Sequence, residues 1–79
     1  MNADIELKNK IRSIMIDLRN EHEMTQTDVG KVVGKSKNAV ASWEQGLSMP
    51  DVVTLHRLAI YYGKTIAYMY GEEDHNEHN

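Results

Sequence analysis

Seventy-nine residues with a formal net charge of −3 and no cysteine make one domain with a modest core and no disulfide or thiolate metal site to reinforce it. No apolar run approaches the roughly 20 residues that a membrane span needs, and the opening MNADIELKNK lacks the apolar centre of a secretory leader. The expectation is a soluble, cytoplasmic protein that is not embedded in a membrane.

The chain is punctuated by glycines, and beside most of them stands a residue suited to start a helix. Leu7, Ile11, Ile14, Met15 and Leu18 recur at helical spacing and predict a first helix over roughly residues 5–21. After a polar turn, Thr25-Gln26-Thr27-Asp28 has the form of a helix start, with Thr25 as cap, Asp28 in the first turn and Met24 placed as a staple before it. A second helix then runs to Val33 and stops at Gly34. Gly30 lies inside it, where it costs about 1 kcal/mol relative to alanine; its missing side chain suggests close approach of the next helix. Ser36 caps a third helix that ends at Gln45 before Gly46. Asp51 caps a fourth, with a stripe of Val52, Leu55, Leu58, Ala59 and Tyr62 closed by Gly63. Thr65 caps a short fifth with Ile66, Met69 and Tyr70, ending at Gly71. No strand alternation and no internal repeat occur, so the expected fold is all-α: five helices in residues 1–71, followed by an acidic tail, 72–79, expected to be disordered.

The negative total hides an uneven distribution. The tail holds Glu72, Glu73, Asp74 and Glu77 and no basic residue; without it nine basic residues face eight acidic ones. Residues 31–43 contain Lys31, Lys35 and Lys37 and no acid, a local cluster able to meet phosphates. The third helix has a matching composition. Val40 and Trp43 share one side as its buried anchor. Lys37, Asn38, Ala41 and Ser42 lie towards other faces. Lysine donates to guanine, asparagine pairs with adenine, serine adapts to either and alanine admits a thymine methyl.

In order along the chain, Ile11-Arg12, Leu18-Arg19, Met24-Thr25-Gln26, Asp28-Val29, Val33-Gly34-Lys35-Ser36, Val40, Ser42-Trp43-Glu44, Gly46, Pro50, Leu55, Leu58-Ala59, Gly63 and Met69 form a recognisable set. On these residues the chain resembles the Cro/C-repressor type of helix-turn-helix domain, also called lambda-repressor-like or the XRE family, over residues 11–71. The resemblance implies a compact domain whose second and third helices form the helix-turn-helix. The resemblance, with the composition of the third helix and its lysine cluster, leads to the expectation that Lys37, Asn38, Ser42 and Ala41 meet base edges and that Thr25, Gln26, Lys35 and Ser36 meet the DNA backbone, with Gln26 also bracing the third helix. It further implies a structural ion pair between Arg19 and Glu44, and a dimer contact around the fifth helix, for which Ile66, Met69 and Tyr70 are the candidates.

Three departures qualify it. Gly30 stands where the family more often has alanine, implying a less stable second helix. Lys37 stands where several phage repressors have glutamine, so base preferences do not transfer. The loop Leu47-Ser48-Met49 lacks the basic residues that some relatives set on phosphates.

No glycine-rich nucleotide loop or nucleophile elbow occurs, and the His75–His78 spacing lies in the acidic tail without a helix signal to present it. No cofactor, metal or small-molecule ligand and no enzymatic activity are expected. The leading reading is a sequence-specific DNA-binding transcriptional regulator, a repressor of phage or mobile-element type, acting as a homodimer on near-palindromic double-stranded DNA. The alternatives are the antitoxin of a toxin–antitoxin pair, and a protein-interaction module that kept the fold and lost DNA binding.

Overall fold

The computed structural model describes residues 2–73. Five helices follow one another: α1 (Ala3–Glu21), α2 (Gln26–Val33), α3 (Lys37–Gln45), α4 (Val52–Tyr62) and α5 (Ile66–Met69), with no strand among the described residues. Tail residues 74–79, with His75 and His78, lie outside the described residues. Among those described, no helix is long and apolar enough to cross a membrane.

Each helix starts on a side chain that satisfies an otherwise orphaned N–H. Ser36 Oγ accepts from the Ala39 N–H at 3.1 Å, Asp51 from Thr54 at 2.8 Å and Thr65 from Tyr68 at 3.0 Å. At α2 the arrangement is reciprocal. Thr25 Oγ1 accepts from the Asp28 N–H at 3.0 Å, and Asp28 accepts from the Thr25 N–H at 2.9 Å. These backbone N–H bonds hold the Asp28 and Asp51 carboxyls below the ordinary aspartate range. Asn2 caps α1, which therefore begins at Ala3, a little earlier than its apolar stripe suggests.

The core draws on every helix: Ile11, Ile14, Met15 and Leu18 from α1, Val29 and Val33 from α2, Val40 and Trp43 from α3, Leu55, Leu58, Ala59 and Tyr62 from α4, and Met69 from α5. Two residues of the expected stripes stay outside. Leu7 is exposed because the first two turns of α1 run beyond the other helices, and Val52 is 63% exposed on the outer side of α4. Met69 is fully buried, so it belongs to the core and is withdrawn from the surface proposed for dimer contact; Ile66 and Tyr70 are half-buried.

The α1–α2 turn uses Glu23 at φ 55°, a left-handed conformation that side chains other than glycine, asparagine and aspartate rarely take. It is held there by the Glu23 N–H donating to Asn20 O at 3.0 Å and the Met24 N–H donating to Arg19 O at 3.0 Å.

Candidate nucleic-acid interface

The α2–α3 unit is set by a close backbone approach. The Lys35 N–H donates to Gly30 O at 2.8 Å, drawing the turn back over α2. A Cβ on Gly30 would lie 2.5 Å from the Lys35 carbonyl oxygen and 3.3 Å from the Ser36 carbonyl carbon. The glycine thus makes room for the turn leading into α3, where any larger residue would displace backbone. The helix-propensity penalty inferred from its position is the lesser half of its role.

Side chains then fix α3 to its neighbours. Arg19 Nε donates to Glu44 Oε2 at 2.7 Å and Arg19 Nη2 to Glu44 Oε1 at 3.0 Å, a two-pronged pair. Arg19 Nη1 donates to the Met24 carbonyl at 3.0 Å, and Gln26 Nε2 donates to Glu44 Oε1 at 3.0 Å. One carboxylate from the last turn of α3 therefore receives three hydrogen bonds from α1 and α2. The pair is largely withdrawn from water, at 19% exposure for Arg19 and 9% for Glu44, and the Glu44 bond raises the Arg19 pKa above its usual value. Beside it, burial pushes the Tyr62 phenol up to about 12. The Tyr62 hydroxyl faces Met24 Sδ at 3.9 Å and the ring lies against His22, with 4.7 Å between centroids. Val40 and Trp43 complete the anchor, both in the core.

Away from this anchor, Lys35, Ser36, Lys37 and Asn38 are all exposed, at the turn and the start of α3. Among the described residues, the side chains of Lys37 and Asn38 make no hydrogen bond or ion pair. Ala41 and Ser42 are half-buried one turn further along.

The backbone-contact candidates are partly engaged within the protein. The Thr25 N–H is taken by Asp28, which leaves the hydroxyl hydrogen as the donor this residue still has to offer. The Ser36 hydroxyl accepts the Ala39 N–H and likewise keeps its hydrogen. Gln26 gives one amide hydrogen to Glu44 and retains a second, together with its carbonyl oxygen. The lysine cluster is also less uniform than its sequence suggests. Lys31 lies near Asp28, and Lys35 near Asp51 at the start of α4. Lys37 stands apart from both acids.

One polar group lies outside the candidates that the sequence suggests. Ser48, in the loop after α3, has its Oγ 2.7 Å from Ser42 Oγ. The contact exists because α3 ends in a turn that folds back on itself. The Gly46 N–H donates to Trp43 O at 3.2 Å and the Leu47 N–H to Ser42 O at 3.0 Å, with Gly46 left-handed at φ 80°. A serine two residues past a glycine stop is the signal that would have found it.

This geometry, a short glycine-containing turn between two helices with the second anchored in the core and open at its start, is that of a helix-turn-helix. Residues 15–69 match the helix-turn-helix family HTH_3, and the chain belongs to that family. It is a family of DNA-binding regulators and not of enzymes. The chain is also 33% identical over 60 residues to the cryptic phage CTXphi transcriptional repressor RstR of Vibrio cholerae. That match takes in 76% of this chain and 54% of the relative, so the chain spans about half the length of that protein. No solved structure matches.

Proposed function

We propose that this chain is a sequence-specific transcriptional repressor of phage or mobile-element type, which places α3 in the major groove of an operator half-site. The observation that carries the reading is the division of α3 between anchored and open residues. Glu44, Val40 and Trp43 hold it to the domain, while Lys37 and Asn38 stand exposed at its first turn. Helices used this way reach base edges from their N-terminal part, and dimers read half-sites about 34 Å apart. Lys37, Asn38, Ser42 and Ala41 face the bases in this arrangement. Thr25, Gln26, Lys35 and Ser36 set the register on phosphates. The similarity to a phage repressor supports the regulatory sense.

Selection from random double-stranded DNA tests it. Lys37→Ala and Asn38→Ala are each expected to relax preference at particular base pairs by about 1–3 kcal/mol, and Lys35→Ala to weaken all sequences alike and lower the salt dependence. Recovery of no preferred sequence at low salt would refute the proposal.

A second reading, a protein-interaction module or antitoxin on the same fold, is favoured by the outer side of α4. Val53, Ile60 and Tyr61 are 56%, 66% and 51% exposed there, large apolar side chains of the kind that mark interaction sites where they cluster. The dimer contact is proposed to involve Ile66 and Tyr70. Sedimentation of Ile60→Lys and Ile66→Lys variants with operator DNA separates the two faces. Loss of the two-fold complex on substitution at Ile66 alone assigns self-association to α5.

A further inference from the structure

We propose that Ser48 is a positioning residue that fixes which way the Ser42 hydroxyl points when α3 reads DNA, so that Ser42 presents its lone pairs to the base. The inference rests on the reading of α3 as the groove-entering helix.

An isolated serine on such a helix carries little information, because its hydroxyl both donates and accepts and therefore suits any base pair. Ser42 is not isolated: its Oγ lies 2.7 Å from Ser48 Oγ. One hydrogen is used between the two oxygens, and either hydroxyl can supply it. The pair therefore has two states. If Ser48 donates inward, Ser42 keeps its own hydrogen for guanine or for thymine O4. If Ser42 donates inward, it keeps only lone pairs, which suit the amino group of cytosine N4 or adenine N6.

DNA decides between these states through Ser48. This residue is exposed on the loop leaving the helix, whereas Ser42 is half-buried, so of the two hydroxyls it is the one more open to a phosphate beside the groove. Phosphate oxygens there only accept. Ser48 gives its single hydrogen to a phosphate, must then accept from Ser42, and so turns Ser42 into an acceptor. The fold-back at Gly46 and Leu47 holds the two residues at this separation, so the relay is in place before DNA arrives. The loop thus shapes readout without a basic side chain.

The test compares selections from randomised duplex DNA for the full chain and for Ser42→Ala, Ser48→Ala and Ser48→Thr, with far-ultraviolet circular dichroism confirming that each variant is folded. The base pair whose preference vanishes in Ser42→Ala is the Ser42 position. At that position the unaltered protein is expected to favour adenine or cytosine on the contacted strand about fivefold, the effect of one hydrogen bond. Ser48→Ala is expected to bring that preference below about twofold while leaving the Lys37 and Asn38 positions unchanged, and Ser48→Thr, which keeps the hydroxyl, to restore it. A Ser48→Ala profile identical to that of the unaltered protein at the Ser42 position overturns the proposal, as does a uniform loss across all sequences. A preference there for guanine or thymine overturns the stated polarity. If Ser42→Ala changes no position while Lys37→Ala and Asn38→Ala do, this inference fails and the groove-reading role of α3 stands. If none of the three changes any position, the reading of α3 itself fails.

Discussion

The anchored and the open residues of α3 are built on opposite rules. Its anchor is over-determined: Glu44 accepts three hydrogen bonds from two other helices, Trp43 and Val40 are in the core, and Gly30 gives up its side chain so that the turn can close. Its exposed first turn, at Lys37 and Asn38, has no internal hydrogen bond or ion pair among the described residues. Rigidity and availability are divided between the anchored residues and that open first turn. The contrast teaches that a reading surface gains precision from the side away from its target, because the exposed groups lose least freedom on binding when the helix carrying them is already held.

Removing the inner anchor gives the largest expected effect. Glu44→Ala leaves the Arg19 guanidinium largely buried without its carboxylate and is expected to cost about 3 kcal/mol in urea unfolding. A loss under about 1 kcal/mol would place the pair among ordinary surface ion pairs and dissolve the contrast. Gly30→Ala comes next. Helix propensity alone favours alanine by about 1 kcal/mol, but a methyl 2.5 Å from a carbonyl oxygen forces the turn to move, and overpacking of this kind costs about 1–3 kcal/mol. The expected outcome is a net loss of stability; a gain would mean that the turn yields freely. Smallest are Lys37→Ala and Asn38→Ala, each expected to leave the unfolding midpoint within about 0.5 kcal/mol of the parent, as exposed substitutions do. A clear destabilisation by either would show that the open first turn also supports the fold.

The helices were legible where the signal is local. Thr25 with Asp28, Ser36, Asp51 and Thr65 announce their own helix starts, since a cap needs only its next three residues. The stripes on α1 and α4 located most of the core but overreached at Leu7 and Val52, because periodicity tells which side a residue occupies and not whether another helix covers it. Met69 was misplaced for a related reason: a four-residue helix is too short for periodicity to separate its buried side from its open one. Of the candidate site, the exposure of Lys37 and Asn38 followed from the composition of α3. The Arg19–Glu44 pair joins residues 25 apart and came into view through family resemblance. The Ser42–Ser48 contact depends on a reversal of the chain after Gly46 that no residue pattern in the third helix displays.

Because α1 and α2 both grip the Glu44 carboxylate, α3, the segment proposed to meet DNA, cannot loosen alone without breaking the agreement of three helices at once. Warming or mild denaturant should therefore not yield a population of careless binders that survey DNA with a wobbling probe. Discrimination and folding should vanish together, leaving the molecule either a faithful reader or none.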